Sequence, residues 1–163
     1  MFSDVLKAQA QAILESCRKR GVKIATAESC TGGLISGCLT EVAGSSDVVD
    51  RGFVTYSNEA KIELVNVPAG LIEEFGAVSE DVARAMAEGA LAGSRADYAV
   101  SVTGIAGPGG GTASKPVGLV HMACSGRDRP TQHERHVFAG DRSQVREQTV
   151  ARALRLLDEA LSG

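Results

Sequence analysis

Apolar side chains recur with two different periods along this chain, and segments of the two kinds alternate. Over residues 3–20 they recur every three or four positions, which predicts an amphipathic helix that Gly21 ends. A short apolar run over 22–26 then predicts a buried strand. The next helical stripe consists of Ile35, Cys38, Leu39 and Val42. A strand therefore leads through a polar turn into a second helix.

The rest of the chain keeps this order of alternating elements. The predicted strands cover 53–56, 97–103, 117–124 and 131–138, and the predicted helices cover 80–93 and a long segment after Asp141. A shorter helix is expected to begin at Glu59, with Asn58 as its cap. The turn between the last two strands predicts an antiparallel hairpin. The length of 163 residues, with no linker or repeat, predicts one domain over 1–163.

Composition restricts the class of partner. Hydrophobic residues make up 44% of the chain, charged residues 23%, and the net charge is -3, which argues against disorder and against a nucleic-acid surface. No apolar run approaches the roughly 20 residues that span a bilayer, and no signal segment is visible, so we expect a cytoplasmic protein without a membrane partner. The four cysteines lack CxxC spacing, which favours reduced, mostly buried thiols.

The polar turn at residues 27–33 is the first candidate for a reactive site. Hydroxyl side chains and two glycines follow the first strand here, and a helical pattern begins directly afterwards. At such a turn, free backbone N–H groups and the positive end of a helix dipole stabilise an anion or a developing oxyanion. Ser29 is therefore the candidate nucleophile, although its neighbour Cys30 also carries a reactive group.

Ser29 needs a base, because an unassisted hydroxyl is a poor nucleophile at neutral pH. The spacing of His121, His133 and His136 supports neither a Ser-His-Asp arrangement nor a zinc site. Lys61 follows the second strand as Ser29 follows the first, and parallel strands end at the same edge of a sheet. Its place in the first turn of a helix disfavours the ammonium form. The alternative is that Lys61 is an ordinary solvated surface lysine.

Three further features suggest substrate contacts. Tyr56 ends the second strand and either orients Lys61, donates a hydrogen bond to the substrate, or simply packs. Glu28 either binds a lysine or a ribose hydroxyl or pairs locally. The glycine-rich loop over 104–112 either presents backbone N–H groups to a phosphate or is a structural turn. Arg142 opens the last helix and is placed to clamp a phosphate, with a solvated helix face as the alternative.

Five stretches together resemble the CinA C-terminal domain family, whose stand-alone members are nicotinamide-nucleotide amidases. They are residues 25–33, 54–61, 76–79, 102–110 and 140–142, and they span nearly the whole chain in the same order. The resemblance implies an α/β fold, a three-layer α/β/α sandwich with a mixed central sheet. It also implies hydrolysis of nicotinamide mononucleotide (NMN) to nicotinate mononucleotide and ammonia in pyridine-nucleotide recycling. The lack of a preceding CinA-type domain favours the stand-alone enzyme.

The family's serine–lysine pair falls on Ser29 and Lys61, with Tyr56 as a further catalytic residue. The residues expected to bind the substrate or its phosphate are Glu28, Thr31, Gly32, Gly33, Thr103, Gly104, Gly107, Gly109, Gly110 and Arg142. In the mechanism that follows, Lys61 deprotonates Ser29, whose oxygen attacks the carboxamide, and N–H groups at residues 31–33 or at the Thr103–Gly104 turn bind the oxyanion. No metal or cofactor is expected.

Other functions remain open at this stage. A nucleotide-binding or regulatory module, linked to competence or DNA damage, would bind NMN without releasing ammonia. An amidase for another small phosphorylated amide would show itself in a panel of substrates. The expected partner is a small-molecule nucleotide, and the chain is expected to form a homodimer or a higher homo-oligomer.

Overall fold

The computed structural model describes all 163 residues, which form six α-helices and five β-strands. In chain order the elements are α1 (Asp4–Arg20), β1 (Ile24–Glu28), α2 (Leu34–Thr40), β2 (Val49–Val54), α3 (Asn58–Val65), α4 (Ala69–Phe75), α5 (Glu80–Ala92), β3 (Tyr98–Gly104), β4 (Leu119–Gly126), β5 (Arg129–Val137) and α6 (Arg142–Ser162). One turn of 3-10 helix, Ser45–Asp47, precedes β2.

The strands form one mixed sheet in the order β2-β1-β3-β4-β5. β2, β1 and β3 are parallel, so their carboxyl ends meet at one edge of the sheet. β4 and β5 are antiparallel, and their hairpin turn lies at the opposite edge, where Gly126 pairs with Tyr98. Because β5 runs back, α6 begins near the edge where the parallel strands end. This edge therefore collects the ends of three strands and the start of the last helix.

Helices cover both faces of the sheet. α1, α2 and α6 bury one face in the larger apolar core, while α3, α4 and α5 cover the other. β1 is buried along its whole length because it lies inside the sheet between these layers. The predicted α/β three-layer sandwich with a mixed sheet is confirmed. None of the six helices has both the length and the apolar character that crossing a membrane requires.

Side-chain caps explain where several helices begin. The Asp141 carboxylate accepts from Gln144 N, and the Gln144 side chain accepts from Asp141 N, which is the predicted capping box. Ser79 caps α5, also as predicted. The prediction for α3 was wrong by one residue, since Ser57 is the cap and accepts from Ala60 N, whereas Asn58 is already helical. Either side chain suits a cap, so composition could not separate them.

Several other predicted elements differ from the observed ones. β4 covers Leu119–Gly126 rather than 117–124, and β5 covers Arg129–Val137 rather than 131–138. β2 covers Val49–Val54 rather than 53–56. The sequence did not indicate its start, because β2 is an edge strand whose exposed positions carry polar residues and so lack an apolar pattern. β1 begins at Ile24, two residues later than predicted. α4 was not predicted at all. It buries no side chain completely and follows Pro68, so it lacks the apolar stripe by which a helix is recognised.

Candidate active site

Ser29 and Lys61 meet at the edge where the parallel strands end. Lys61 Nζ lies 2.9 Å from Ser29 Oγ. The side chain of Lys61 is only 1% exposed and that of Ser29 8% exposed, so the pair is enclosed by protein. The alternative of a solvated surface lysine is thereby wrong for Lys61. The pair has the geometry of a nucleophile and its base.

Backbone hydrogen bonds extend the sheet beyond the strands and place both residues. Ser29 directly follows β1, and its N–H donates to the carbonyl of Val102 at 3.0 Å. Thr55 follows β2 in the same way and donates to the carbonyl of Glu28 at 2.8 Å. The carbonyl of Thr55 then accepts from Lys61 Nζ at 2.9 Å. Lys61 Nζ is thus held between the carbonyl of Thr55, just after β2, and the hydroxyl of Ser29, just after β1.

The environment favours the neutral form of the lysine. Burial lowers the pKa of Lys61 below its ordinary value of 10.5, because the charged form loses its hydration. No carboxylate pairs with Lys61, since its two polar partners are a carbonyl and a hydroxyl. The helix-dipole argument made from the sequence points in the same direction, but burial is the main cause. A neutral amine has the lone pair that a general base needs.

Glu28 anchors the turn that carries Ser29. Its carboxylate is 1% exposed and accepts from four groups: Thr26 Oγ1, Thr31 Oγ1, Ile35 N and Ser36 N. The N–H groups at the start of α2 are therefore occupied by this side chain and are not offered to a substrate. The structure thus shows the local pairing that the sequence left open for Glu28, and this pairing stabilises the loop.

The loop Ser29–Gly33 retains backbone donors of its own. Gly32 N donates to the carbonyl of Ser29 at 3.0 Å, which closes a tight turn, and Gly32 and Gly33 adopt φ values of 56° and 102°. Neither the N–H of Cys30 nor that of Thr31 donates to a backbone carbonyl. Thr31 is fully buried and its hydroxyl donates to Glu28, so that hydroxyl is not available to a ligand. These two N–H groups are candidates for an oxyanion hole beside Ser29.

Tyr56 and Arg142 lie together at the rim of the site. Arg142 Nη2 lies 3.1 Å from the hydroxyl of Tyr56, and Arg142 Nη1 donates to the carbonyl of Gly107 at 2.9 Å. Tyr56 is 61% exposed, so it does not pack as a core residue. Arg142 thus connects the chain after β2 with the glycine-rich loop after β3. The structure brings these three predicted site residues together.

The other members of the glycine-rich loop divide into two groups. The buried Thr103 donates its hydroxyl to the carbonyl of Ala77, and a Cβ on Gly104 would lie 2.7 Å from Val120 Cγ2, so both positions have structural reasons for their residues. Gly109 and Gly110 are exposed, and a Cβ on Gly109 would meet nothing within 4 Å. Only the tip of the loop is therefore free to approach a ligand.

The histidines form a separate cluster. His121 Nδ1 lies 2.9 Å from His133 Nε2, and His133 Nδ1 lies 3.6 Å from Glu80 Oε1. Burial lowers the pKa of His121 to about 4, which keeps it uncharged at neutral pH. None of these rings bonds to Ser29. His136 pairs instead with Glu134 at 2.7 Å.

Cys30 is a weaker candidate for the nucleophile than Ser29. Its side chain is buried, and burial raises the pKa of its thiol to about 11, so the reactive thiolate is scarce at neutral pH. All four cysteines are free and buried, as the sequence predicts.

Ser29 lines none of the surface cavities of the molecule. A cavity of about 450 Å³ is lined by Arg20, Tyr98 and Arg127, at the opposite edge of the sheet. Tyr56 and the loop after β3, which Arg142 connects, lie beside the candidate site instead.

Comparison with known proteins bears on both the fold and the chemistry. Residues 6–161 match the model of the family described as CinA C-terminal domain. The nicotinamide-nucleotide amidohydrolase PncC of Escherichia coli is 49% identical over 143 residues, which cover 88% of this chain and 87% of that protein. A putative competence-damage inducible protein of Caldicellulosiruptor bescii is 52% identical over 85% of this chain, but the chain spans only 34% of that protein's length.

Solved structures agree over the full length. A competence/damage inducible protein from Agrobacterium tumefaciens has a TM-score of 0.97 and 49% identity, covering 100% of this chain and 99% of that one. A competence damage-inducible protein from Klebsiella pneumoniae has a TM-score of 0.92 and 37% identity, covering 96% and 97%.

Proposed function

Because the chain belongs to the CinA C-terminal domain family, we propose that it is a nicotinamide-nucleotide amidase that hydrolyses NMN to nicotinate mononucleotide and ammonia. The observation that carries the proposal is the buried contact of 2.9 Å between Lys61 Nζ and Ser29 Oγ. The similarity to PncC of Escherichia coli, over most of both chains, supports the choice of substrate. The reaction belongs to pyridine-nucleotide recycling.

The first half of the reaction is acyl transfer to Ser29. Neutral Lys61 accepts the hydroxyl proton while Ser29 Oγ attacks the carboxamide carbon of NMN. One hydrogen of the amine is already engaged by the carbonyl of Thr55, which directs the lone pair toward Ser29. The negative oxygen of the tetrahedral intermediate binds the N–H groups of Cys30 and Thr31. Lys61 then gives its proton to the nitrogen, ammonia leaves, and an ester to Ser29 remains.

The second half releases the product. Lys61, neutral again, takes a proton from a water molecule that attacks the ester, and the same backbone donors bind the second oxyanion. Collapse of this intermediate returns the proton to Ser29 Oγ and frees nicotinate mononucleotide. Every proton in the cycle passes through Lys61.

The residues beside the Ser29–Lys61 pair account for a preference for the nucleotide over free nicotinamide. Arg142 is the exposed cation beside the site, and the tip of the loop at Gly109 and Gly110 is open to a ligand. We assign phosphate recognition to these groups and a substrate hydrogen bond to Tyr56, whose hydroxyl lies 3.1 Å from Arg142 Nη2. A metabolite substrate of this kind agrees with a cytoplasmic location.

The proposal includes self-association. Val54 at the end of the edge strand β2, Leu64 in α3 and Phe75 in α4 are exposed apolar side chains. Their burial would favour a homodimer or a higher homo-oligomer. Sedimentation velocity of the purified chain decides this point.

The test is ammonia release from NMN by the wild type, Ser29→Ala and Lys61→Ala, each with and without a chelator. The wild type is expected to release ammonia, and both variants are expected to lose about 10³-fold or more in kcat, because each lacks half of the reacting pair. Ser29→Ala should still bind NMN, as measured by calorimetry. Tyr56→Phe serves as a milder change at the same site.

Two results would overturn the proposal. A wild type that binds NMN and releases no ammonia would indicate a nucleotide-binding or regulatory module. Hydrolysis of a different phosphorylated amide, with NMN left intact, would keep the serine–lysine chemistry and change the substrate.

A further inference from the structure

Arg146 contacts the back of the loop that carries Ser29. From the second turn of α6, its Nε donates to the carbonyl of Cys30 at 3.0 Å and its Nη2 to the carbonyl of Thr31 at 3.3 Å. An ideal Cβ on Gly32 would lie 3.8 Å from the same Nη2. The loop is therefore held both by the Glu28 carboxylate and by this guanidinium.

The contact fixes the direction in which a backbone donor points. In a planar trans peptide the C=O and N–H bonds point in opposite directions. Because the carbonyl of Cys30 faces Arg146, the N–H of Thr31 in the same peptide faces away from it. That N–H donates to no backbone carbonyl.

The guanidinium also changes the strength of this donor. A positive charge bound to a carbonyl oxygen draws electron density from the peptide, and hydrogen bonds in a chain polarise one another. The Thr31 N–H is therefore a stronger donor when Arg146 is in place. Stabilisation of an oxyanion by such preorganised donors is commonly the largest electrostatic contribution in acyl transfer.

No ion pair accounts for the positive charge of Arg146. It is half-buried, and no carboxylate lies within ion-pair distance of it. It lines a cavity of about 240 Å³ with Phe2, Leu34 and Val150, on the face of the sheet covered by α1, α2 and α6. Lys61 lies on the opposite face, so the guanidinium approaches the loop from behind the reacting groups.

We propose that Arg146 is a positioning residue for the oxyanion hole, which orients and polarises the Cys30–Thr31 peptide so that the Thr31 N–H binds the oxyanion formed at Ser29. The inference rests on the proposed acyl transfer at Ser29, and it extends that mechanism to a residue that does not touch the substrate. Cys30 N–H completes the pair of donors.

The experiment compares Arg146→Gln and Arg146→Lys with the wild type and with Arg155→Gln. Arg155 is an exposed arginine on the same helix and serves as the matched control. The first readout is kcat and KM for NMN. The second is the rate at which a small alkyl fluorophosphonate modifies Ser29, measured by intact-protein mass spectrometry. In that reaction Ser29 Oγ bonds to phosphorus, fluoride leaves, and the serine proton goes to Lys61.

The expected result is a loss of about 10- to 100-fold in kcat for Arg146→Gln, with KM changed by less than about 3-fold, because the oxyanion forms only after binding. Modification of Ser29 should slow by a similar factor, since the attacked phosphonyl oxygen uses the same donors. Arg146→Lys keeps the charge but not the two-point contact. Its kcat and its rate of Ser29 modification should therefore lie between those of the wild type and those of Arg146→Gln. Arg155→Gln should match the wild type.

Equal kcat and equal modification rates in Arg146→Gln and the wild type would overturn the inference, as would a rise in KM alone. If thermal unfolding shows that Arg146→Gln is not folded, Arg146→Lys decides, and wild-type values for it would overturn the inference. Failure of the proposed substrate is distinguishable, because the phosphonate modifies Ser29 whether or not NMN is hydrolysed.

Discussion

Lys61 lies 32 residues after Ser29 in the chain, and their side-chain ends are 2.9 Å apart. The contact exists because β1 and β2 are parallel neighbours that end at the same edge of the sheet. The helix after β2, α3, then places Lys61 beside Ser29. Thr55 completes the arrangement, since its N–H pairs with Glu28 and its carbonyl holds the lysine. A buried lysine without a carboxylate partner has a lower pKa than a surface lysine, so a larger fraction of it is neutral at a given pH.

The pH dependence of the reaction should report this protonation. Burial lowers the pKa of Lys61 below 10.5, and only the neutral amine accepts a proton, so kcat/KM should rise with pH toward a plateau. The midpoint of the rise should lie below 10.5. Nicotinamide riboside, which lacks the phosphate, is the control substrate, because the phosphate of NMN titrates as well. A kcat/KM that falls as pH rises through this range contradicts the assignment.

Lys61→Arg is the matched variant for the same experiment. A guanidinium keeps the positive charge and the length of the side chain but does not lose its proton at accessible pH. We expect no recovery of activity at any pH up to 10. Recovery at high pH would mean that another group is the base.

The anchoring role of Glu28 predicts a loss of stability. Glu28→Gln replaces one of two accepting oxygens by a donor, which would face N–H or O–H groups inside the protein. The free energy of unfolding should fall by about 2–4 kcal/mol. Urea unfolding measures it, with the exposed Glu63→Gln as control. A change within about 0.5 kcal/mol would show that the buried carboxylate contributes little.

The contact between α3 and α5 needs a glycine. A Cβ on Gly89 would lie 1.7 Å from the carbonyl oxygen of Val65, the last residue of α3, so Gly89→Ala must push the two helices apart. Since α3 carries Lys61, we expect kcat to fall as well as a loss of about 1–3 kcal/mol in stability. Gly70→Ala in α4 meets nothing within 4 Å and should be neutral or slightly stabilising. Equal behaviour of the two variants would contradict this account.

Arg142 should separate substrates by their phosphate. Arg142→Gln is expected to raise KM for NMN by about 10- to 100-fold, the loss that follows when a charged hydrogen bond is removed. KM for nicotinamide riboside should not change. Equal effects on both substrates would mean that Arg142 acts through Tyr56 and the loop at Gly107, which it also contacts.

The fold was predictable from sequence wherever periodicity was strong. α1, α5, α6 and the buried strands have clear apolar stripes or runs, and caps such as Asp141 mark where helices begin. The edge strand β2 and the short helix α4 lack such stripes, because solvent replaces one of the neighbours that would demand apolar residues.

The candidate site was predictable to a similar degree. The positions of Ser29 and Lys61 after neighbouring strands suggested the pair, but spacing alone did not distinguish a buried lysine from a solvated one. Glu28 and Arg146 required the structure, because their partners are backbone groups, and backbone groups have no signature in the sequence. Arg142 and Arg146 lie four residues apart in the sequence, a spacing that fits a solvated helix face equally well.

The β4–β5 hairpin has a practical consequence. Its turn lies at the edge of the sheet opposite to Ser29, while both of its strands belong to the same hydrogen-bonded network as β3. A short peptide carrying a fluorophore or an affinity label can therefore be grafted at Arg127–Asp128, remote from Ser29. The candidate active-site residues follow the parallel strands. The turn of the antiparallel hairpin is an attachment point through which the enzyme can be immobilised or labelled during turnover.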